Sequence, residues 1–186
     1  FLLDHGADVN QVYSDGNSPL FIAAATGHIG VARALLEHEA SLNLPNDVGN
    51  APLHAASVKG NLDIARLLLD CDADVNPVNS DGVSPLFHAC GHGHTHVVSL
   101  LLDRNAEIDQ PNEDGMSPMI CACSAGHVDV VSLLLDRGAD VHQGMKDDVS
   151  PLLIASMSGH LEVVRLLLDH GADFSKVWNG HTPLDI

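Results

Sequence analysis

Residues 79–111 read NSDGVSPLFHACGHGHTHVVSLLLDRNAEIDQP, and nearly all the rest of the chain is an edited copy of this stretch. Its triplet Ser84-Pro85-Leu86 marks the register. Prolines recur at Pro19, Pro52, Pro85, Pro118, Pro151 and Pro183, at intervals of 33, 33, 33, 33 and 32 residues. A fixed period of this length means supersecondary units that bury their apolar faces only against one another, so the core grows as a row. Five nearly complete copies occupy about 13–45, 46–78, 79–111, 112–144 and 145–176. Residues 1–12 match the back half of a copy and 177–186 the front half, so both ends read as cuts through a copy.

Each copy repeats one physical grammar. A turn comes first, at Asp15-Gly16, Asp81-Gly82, Asp114-Gly115 and Asn179-Gly180, where glycine accepts the positive φ of a tight turn. Ser18, Ser84, Ser117, Ser150 and Thr182 follow as N-caps, each with proline at the first helical position, where its missing N–H costs nothing. The first helix is lined by Ala23, Ala56, Ala89, Ala122 and Ala155 at strict spacing, as close helix–helix approach requires. Gly27, Gly60, Gly93, Gly126 and Gly159 break the chain before a second helix. Its apolar positions, such as Val97, Val98, Leu100, Leu101 and Leu102, cover too much of the circumference for a one-sided surface helix. That helix is expected to be sandwiched. Gly6, Gly138 and Gly171 sit where a left-handed helix stop belongs.

This order of turn, Ser/Thr-Pro-Leu, Ala, Gly-His, Val-Val-x-Leu-Leu-Leu and Gly-Ala-Asp-Val-Asn resembles the ankyrin repeat over essentially the whole chain. The resemblance implies an all-α fold with β-hairpin or turn fingers, an ankyrin-type α-solenoid of stacked helix-turn-helix units. It also implies a concave face made of fingertips and first helices. Departures from the pattern carry expectations of their own. The family's histidine after Pro-Leu is kept only at His54, with Phe21, Phe87, Ile120 and Leu153 elsewhere. Ala51 replaces the capping hydroxyl, a loss of about 1 kcal/mol. Glu39, Asp72 and Asn105 stand at the helix-stop glycine. Asparagine tolerates left-handed backbone best, whereas glutamate there is expected to be strained or to shift the turn. The copies carrying these three residues are therefore expected to be weaker than those around Gly138 and Gly171.

Composition narrows the function classes. Eight basic against twenty-five acidic residues give a formal charge of −17, which repels phosphate backbones and anionic lipid. Nucleic-acid binding is not expected. A basic or mixed protein surface is the natural complement. The six aromatics leave packing to Leu, Val, Ile and Ala. Cys71, Cys90, Cys121 and Cys123 are too sparse for a disulfide scaffold, so a reducing, intracellular, cytoplasmic setting is expected. No apolar run approaches the roughly 20 residues of a membrane span.

The densest chemistry is His88, Cys90, His92, His94 and His96, with Cys121 and Cys123 one copy on. Such residues ligate zinc, and metal or redox sensing is the weakest of the readings kept open. Against it, His94 repeats as His28, His127 and His160, and Cys90 and Cys123 replace Ala24, Ser57 and Ser156. Gly93 also separates His92 from His96, so they do not share a helical face. Serines and aspartates recur with the period, as caps and solvated groups do, and no phosphate loop or nucleophile elbow is present. No enzymatic activity, catalytic residue or cofactor is expected of this segment.

What varies between copies is the better record of function. By resemblance, the variable concave positions are the fingertips and the two residues ahead of the central glycine. The candidate protein-binding residues are Asp15, Asn17, Asp47, Asn50, Val58, Lys59, Asp81, Val83, His92, Glu113, Asp114, Met116, Asp147, Val149 and Met157. They describe an acidic rim over an apolar floor, with the methionines as pliable contacts. The expected function is a non-catalytic, monomeric protein-interaction scaffold. The alternative is a regulatory or substrate-recruiting segment of a larger enzyme, such as a kinase or ubiquitin ligase, or of a channel. The resemblance further implies asparaginyl hydroxylation at Asn10, Asn43 and Asn76, which follow Leu2, Leu35 and Leu68 by eight residues.

Overall fold

A computed structural model describes residues 6–146 and 149–175. Asp147, the Leu2-Leu3-Asp4 segment and the front half-copy 177–186, with its Asn179-Gly180 turn and Thr182 cap, lie outside the described residues. Among the described residues ten helices form five pairs: α1 (Pro19–Thr26) with α2 (Ile29–Glu37), α3 (Pro52–Lys59) with α4 (Leu62–Asp70), α5 (Pro85–Gly91) with α6 (Thr95–Asp103), α7 (Pro118–Ala125) with α8 (Val128–Asp136), and α9 (Pro151–Met157) with α10 (Leu161–Asp169). Each is too short to persist alone in water, so tertiary packing holds it. First helices stack on first helices, α1 on α3, α3 on α5, α5 on α7 and α7 on α9, while the second helices form a parallel outer row.

The core is a set of columns. Leu20, Leu53, Leu86, Met119 and Leu152 are all buried at one position, and Ala23, Ala56, Ala89, Ala122 and Ala155 at another. The alanines bring first helices close enough for the leucines to interlock. The sandwich expected for the second helices is seen in Ile64, Val97, Val130 and Val163, all buried, whereas Val31 of α2, at the same position, is 51% exposed.

Helix starts follow the sequence. The hydroxyls of Ser18, Ser84, Ser117 and Ser150 accept from the N–H of Phe21, Phe87, Ile120 and Leu153 at 3.1, 3.2, 3.3 and 3.2 Å. At Ala51 the missing hydroxyl is partly made good by His54, whose Nδ1 accepts from the Ala51 N–H at 3.0 Å. The helix stops hold one geometry whatever the residue. Glu39, Asp72 and Asn105 adopt φ of 64°, 65° and 64°, alongside Gly138 at 85°. Ala40 donates to the Leu35 carbonyl and Ala139 to the Leu134 carbonyl, both at 3.0 Å. Glu39 therefore keeps the turn and accepts the unfavourable backbone.

Of the hairpin or turn fingers that the resemblance implies, the structure forms turns. No strand forms among the described residues. Each finger is a tight turn closed by its own main chain, as in Asn79 N–H to Val83 carbonyl at 3.1 Å and Gly82 N–H to Asn79 carbonyl at 3.0 Å. Single main-chain bonds tie the first four fingers in a row: Asp47 to Asp15 at 3.3 Å, Ser80 to Val48 at 3.1 Å, and Glu113 to Asp81 at 3.0 Å. One bond per neighbour is too few for a ladder. At Gly16 an added Cβ would lie 2.6 Å from the Asp47 nitrogen, so glycine there answers the next finger as well as its own φ.

Candidate protein-interaction surface

The fingertip row is built by an asparagine that the repeat comparison could have singled out. Asn46, Asn79 and Asn112 recur at the period, and each side-chain oxygen accepts two N–H groups of its own finger: Val48 and Asn50, Asp81 and Val83, Asp114 and Met116, at 2.9–3.2 Å. The amide nitrogens then reach backwards. Asn46 donates to the Asn17 oxygen at 2.9 Å and Asn79 to the Asn50 oxygen at 3.0 Å. These bonds fix the spacing of successive fingertips.

That geometry sorts the candidate contacts. Asn17 and Asn50 act as links between fingers, and Val83 is only 8% exposed, with its carbonyl accepting from His54. These three belong to the scaffold. Asp15, Asp47, Asp81, Glu113 and Asp114 project into solvent, while Met116 and Val149 are half-buried beside them. None of the five carboxylates forms an ion pair with a described residue. Of the residues ahead of the central glycine, Lys59, His92 and Met157 are exposed and Val58 is half-buried. The ion pairs lie elsewhere, Arg104 to Asp70 at 2.5 Å and Arg137 to Asp103 at 2.9 Å, between successive second helices. Both are exposed, so they contribute little to stability.

Two groups of histidines stand out, joined where His92 stacks on His94 at 6.0 Å. His94, His127 and His160 each donate Nε2–H to a carbonyl of the preceding copy, Val58, Gly91 and Ser124, at 3.0, 3.1 and 3.0 Å. Asn61 does the same with the Ala24 carbonyl at 2.7 Å. This recurring hydrogen bond is what the Gly-His dipeptide is for. Gly93 makes room for it, since a Cβ there would lie 2.7 Å from the His127 ring.

The second set, His54, His88 and His92, forms a chain of rings. His54 and His88 meet edge-on at 5.9 Å, and His88 and His92 lie 6.4 Å apart. His92 and His96 fall on separate elements, as Gly93 predicts. Cys90 and Cys123 are buried in the first-helix row, and burial pushes their thiols up, Cys123 to about 12. Cys121 is raised to about 11 for the same reason. Such thiols stay protonated near neutrality and are poor ligands and nucleophiles. Among the described residues no group of three or more His, Cys, Asp or Glu side chains is arranged to hold a metal ion.

Fold and surface together define a repeat solenoid that presents a row of evenly spaced, mutually braced turns. Family models described as ankyrin repeats in three copies match residues 1–79 and 71–145, and one described as a single ankyrin repeat matches 147–177. The chain belongs to the ankyrin repeat family. No curated protein matches it. Ankyrin repeats are, as a class, protein–protein interaction modules, and no helix among the described residues is long and apolar enough to cross a membrane.

Proposed function

We propose that this array is a non-catalytic scaffold that holds a partner protein with a basic or mixed surface along its fingertips and first helices. The observation that carries the reading is the row Asp15, Asp47, Asp81 and Asp114, exposed, without an ion pair to a described residue, and tied finger to finger by the asparagine links up to Asp81 and by the Glu113 N–H on the Asp81 carbonyl beyond it. Carboxylates left without a cation on a braced scaffold favour cationic side chains at matching intervals. Val58, Met116, Val149 and Met157 supply the apolar floor between them. A single array acting alone, as a monomer in a reducing intracellular setting, is sufficient for this role.

The test compares the wild type with Asp47→Asn, Asp81→Asn, Asp114→Asn in capture from cell extract at low and moderate salt. The variant is expected to lose the salt-sensitive partners while keeping its helical circular dichroism. Equal capture by both proteins refutes the acidic row as the interface. The same surface serves equally well as a recruiting segment within a larger enzyme or channel, which sequencing of the full transcript decides.

Hydroxylation of Asn10, Asn43 and Asn76 is a further part of this reading. Their side-chain oxygens accept from the next copy's Ser41, Asp74 and Glu107 N–H groups at 2.8, 3.1 and 2.9 Å. A modifying enzyme that takes hold of these amide oxygens therefore competes with the next copy's N–H groups. Intact mass of protein from its native source shows added oxygen if the proposal holds and none if it fails.

A further inference from the structure

We propose that the joint between copies 46–78 and 79–111 is an acid-operated hinge, in which proton uptake by His54 and His88 separates α3 from α5 ahead of the other joints. The position of His54 carries Phe21, Phe87, Ile120 and Leu153 in the other copies, and that of His88 carries Ile22, Ala55, Cys121 and Ile154. Among the described residues, this is therefore the one joint where imidazoles fill both of these facing positions, edge-on at 5.9 Å across the α3–α5 packing.

Neither ring offers a second proton an acceptor. His54 is buried, with Nε2–H donating to the Val83 carbonyl and Nδ1 accepting from the Ala51 N–H, both at 3.0 Å. A proton on Nδ1 would set two donors against each other and strip the Ala51 N–H, at the start of α3, of its side-chain acceptor. On His88, Nε2 is buried with no partner. His92, exposed to solvent, lies next in the row of rings.

No carboxylate stands ready to compensate His88. The charged forms that act on it are His54 and His92, both of its own sign. Its own helix adds Cys90, α3 adds Lys59 at its end, and α7 offers only the thiols Cys121 and Cys123. On α6 are His96 at the start and Asp103 at the far end, the latter engaged by Arg137. Asp74 acts on His54 alone, as the weakest influence there.

The direction with pH follows. Burial first, then the His54 and His92 charges, hold His88 down at about 4 from an ordinary 6.5, and burial also lowers His54. Above pH 6.5 both rings are neutral whether the joint is open or closed. Below it the open form takes protons that the closed form refuses, so opening grows as pH falls towards 4. At pH about 5, His88 alone shifts the equilibrium towards opening by roughly thirty-fold.

Hydrogen exchange on the full chain at pH about 7.5 and about 5, with rates corrected for the intrinsic effect of pH, tests the hinge. The expected result is a tens-of-fold larger loss of protection in α3 and α5 than in α7 to α10. His88→Ile, which copies the residue of two sister repeats, should remove most of that difference. Should His88→Ile not fold, the pair Ala51→Ser with His54→Leu, which restores the hydroxyl cap used elsewhere, must reduce it instead. Uniform loss across all copies, no loss, or an unchanged difference in the folded variant overturns the proposal.

Discussion

Replacing Glu39 by glycine is expected to stabilise the array, although it deletes a side chain and creates nothing. Glu39 sits at φ +64° on the surface, after the last turn of α2. Left-handed backbone costs an ordinary L-residue about 1–2 kcal/mol. Glycine escapes that cost but gives back roughly 0.5–1 kcal/mol through its greater freedom in the unfolded chain. The net gain is about 0.5–1 kcal/mol, with less at Asp72 and close to none at Asn105, since Asp and Asn tolerate this region better. The reciprocal change is Gly138→Glu, at φ +85° with nothing within 4 Å of an added Cβ. Its cost is therefore backbone alone, and about the same size with opposite sign. Glu39→Gln controls for the removal of one negative charge from a chain of −17. Urea unfolding followed by helical circular dichroism reads the change, with hydrogen exchange to place it, because repeat arrays depart from two-state behaviour. The reasoning fails if Glu39→Gly is no more stable than Glu39→Gln, or if Gly138→Glu costs nothing.

Two further outcomes follow from packing at the centre of the array. Gly91→Ala places a Cβ 2.5 Å from the Cys121 Sγ, so it should destabilise by about 1–3 kcal/mol despite alanine's better helix propensity. Adding Cys121→Ala should recover most of that loss, and a double-mutant cycle without coupling would show the contact to be unimportant. Under native conditions at neutral pH, a thiol reagent should modify Cys71 rapidly and leave Cys90 and Cys123 unreacted until the array unfolds, since both are buried with raised thiols. Rapid labelling of all four refutes that order.

Much of the architecture is legible from spacing because each copy is told the same thing several times. Serine before proline, alanine one turn on and glycine after the helix all agree with one local structure, and consistency of that kind makes an assignment secure. The finger was less legible, since a turn with one bond to its neighbour and a short hairpin share the same Asp-Gly signal. Asn46, Asn79 and Asn112 were visible as a period, but only the tertiary structure shows the amides of Asn46 and Asn79 reaching the previous finger. Likewise Val83 reads as a variable fingertip until its carbonyl is seen under His54 and its side chain inside the packing.

The chain's own pattern determined the repeat, the helix boundaries, the caps and stops, and the scaffold role of His94, because these depend on residues a few positions apart and recur in every copy. Only the tertiary structure decided what lies across a joint. His54 and His88 belong to different copies, 34 residues apart, and neither periodicity nor composition reports which side chains interleave between two stacked helices. Their meeting at 5.9 Å, with no carboxylate acting on His88, is a property of the packed pair. Desolvation, which sets their behaviour, exists only once α3 and α5 have closed on each other.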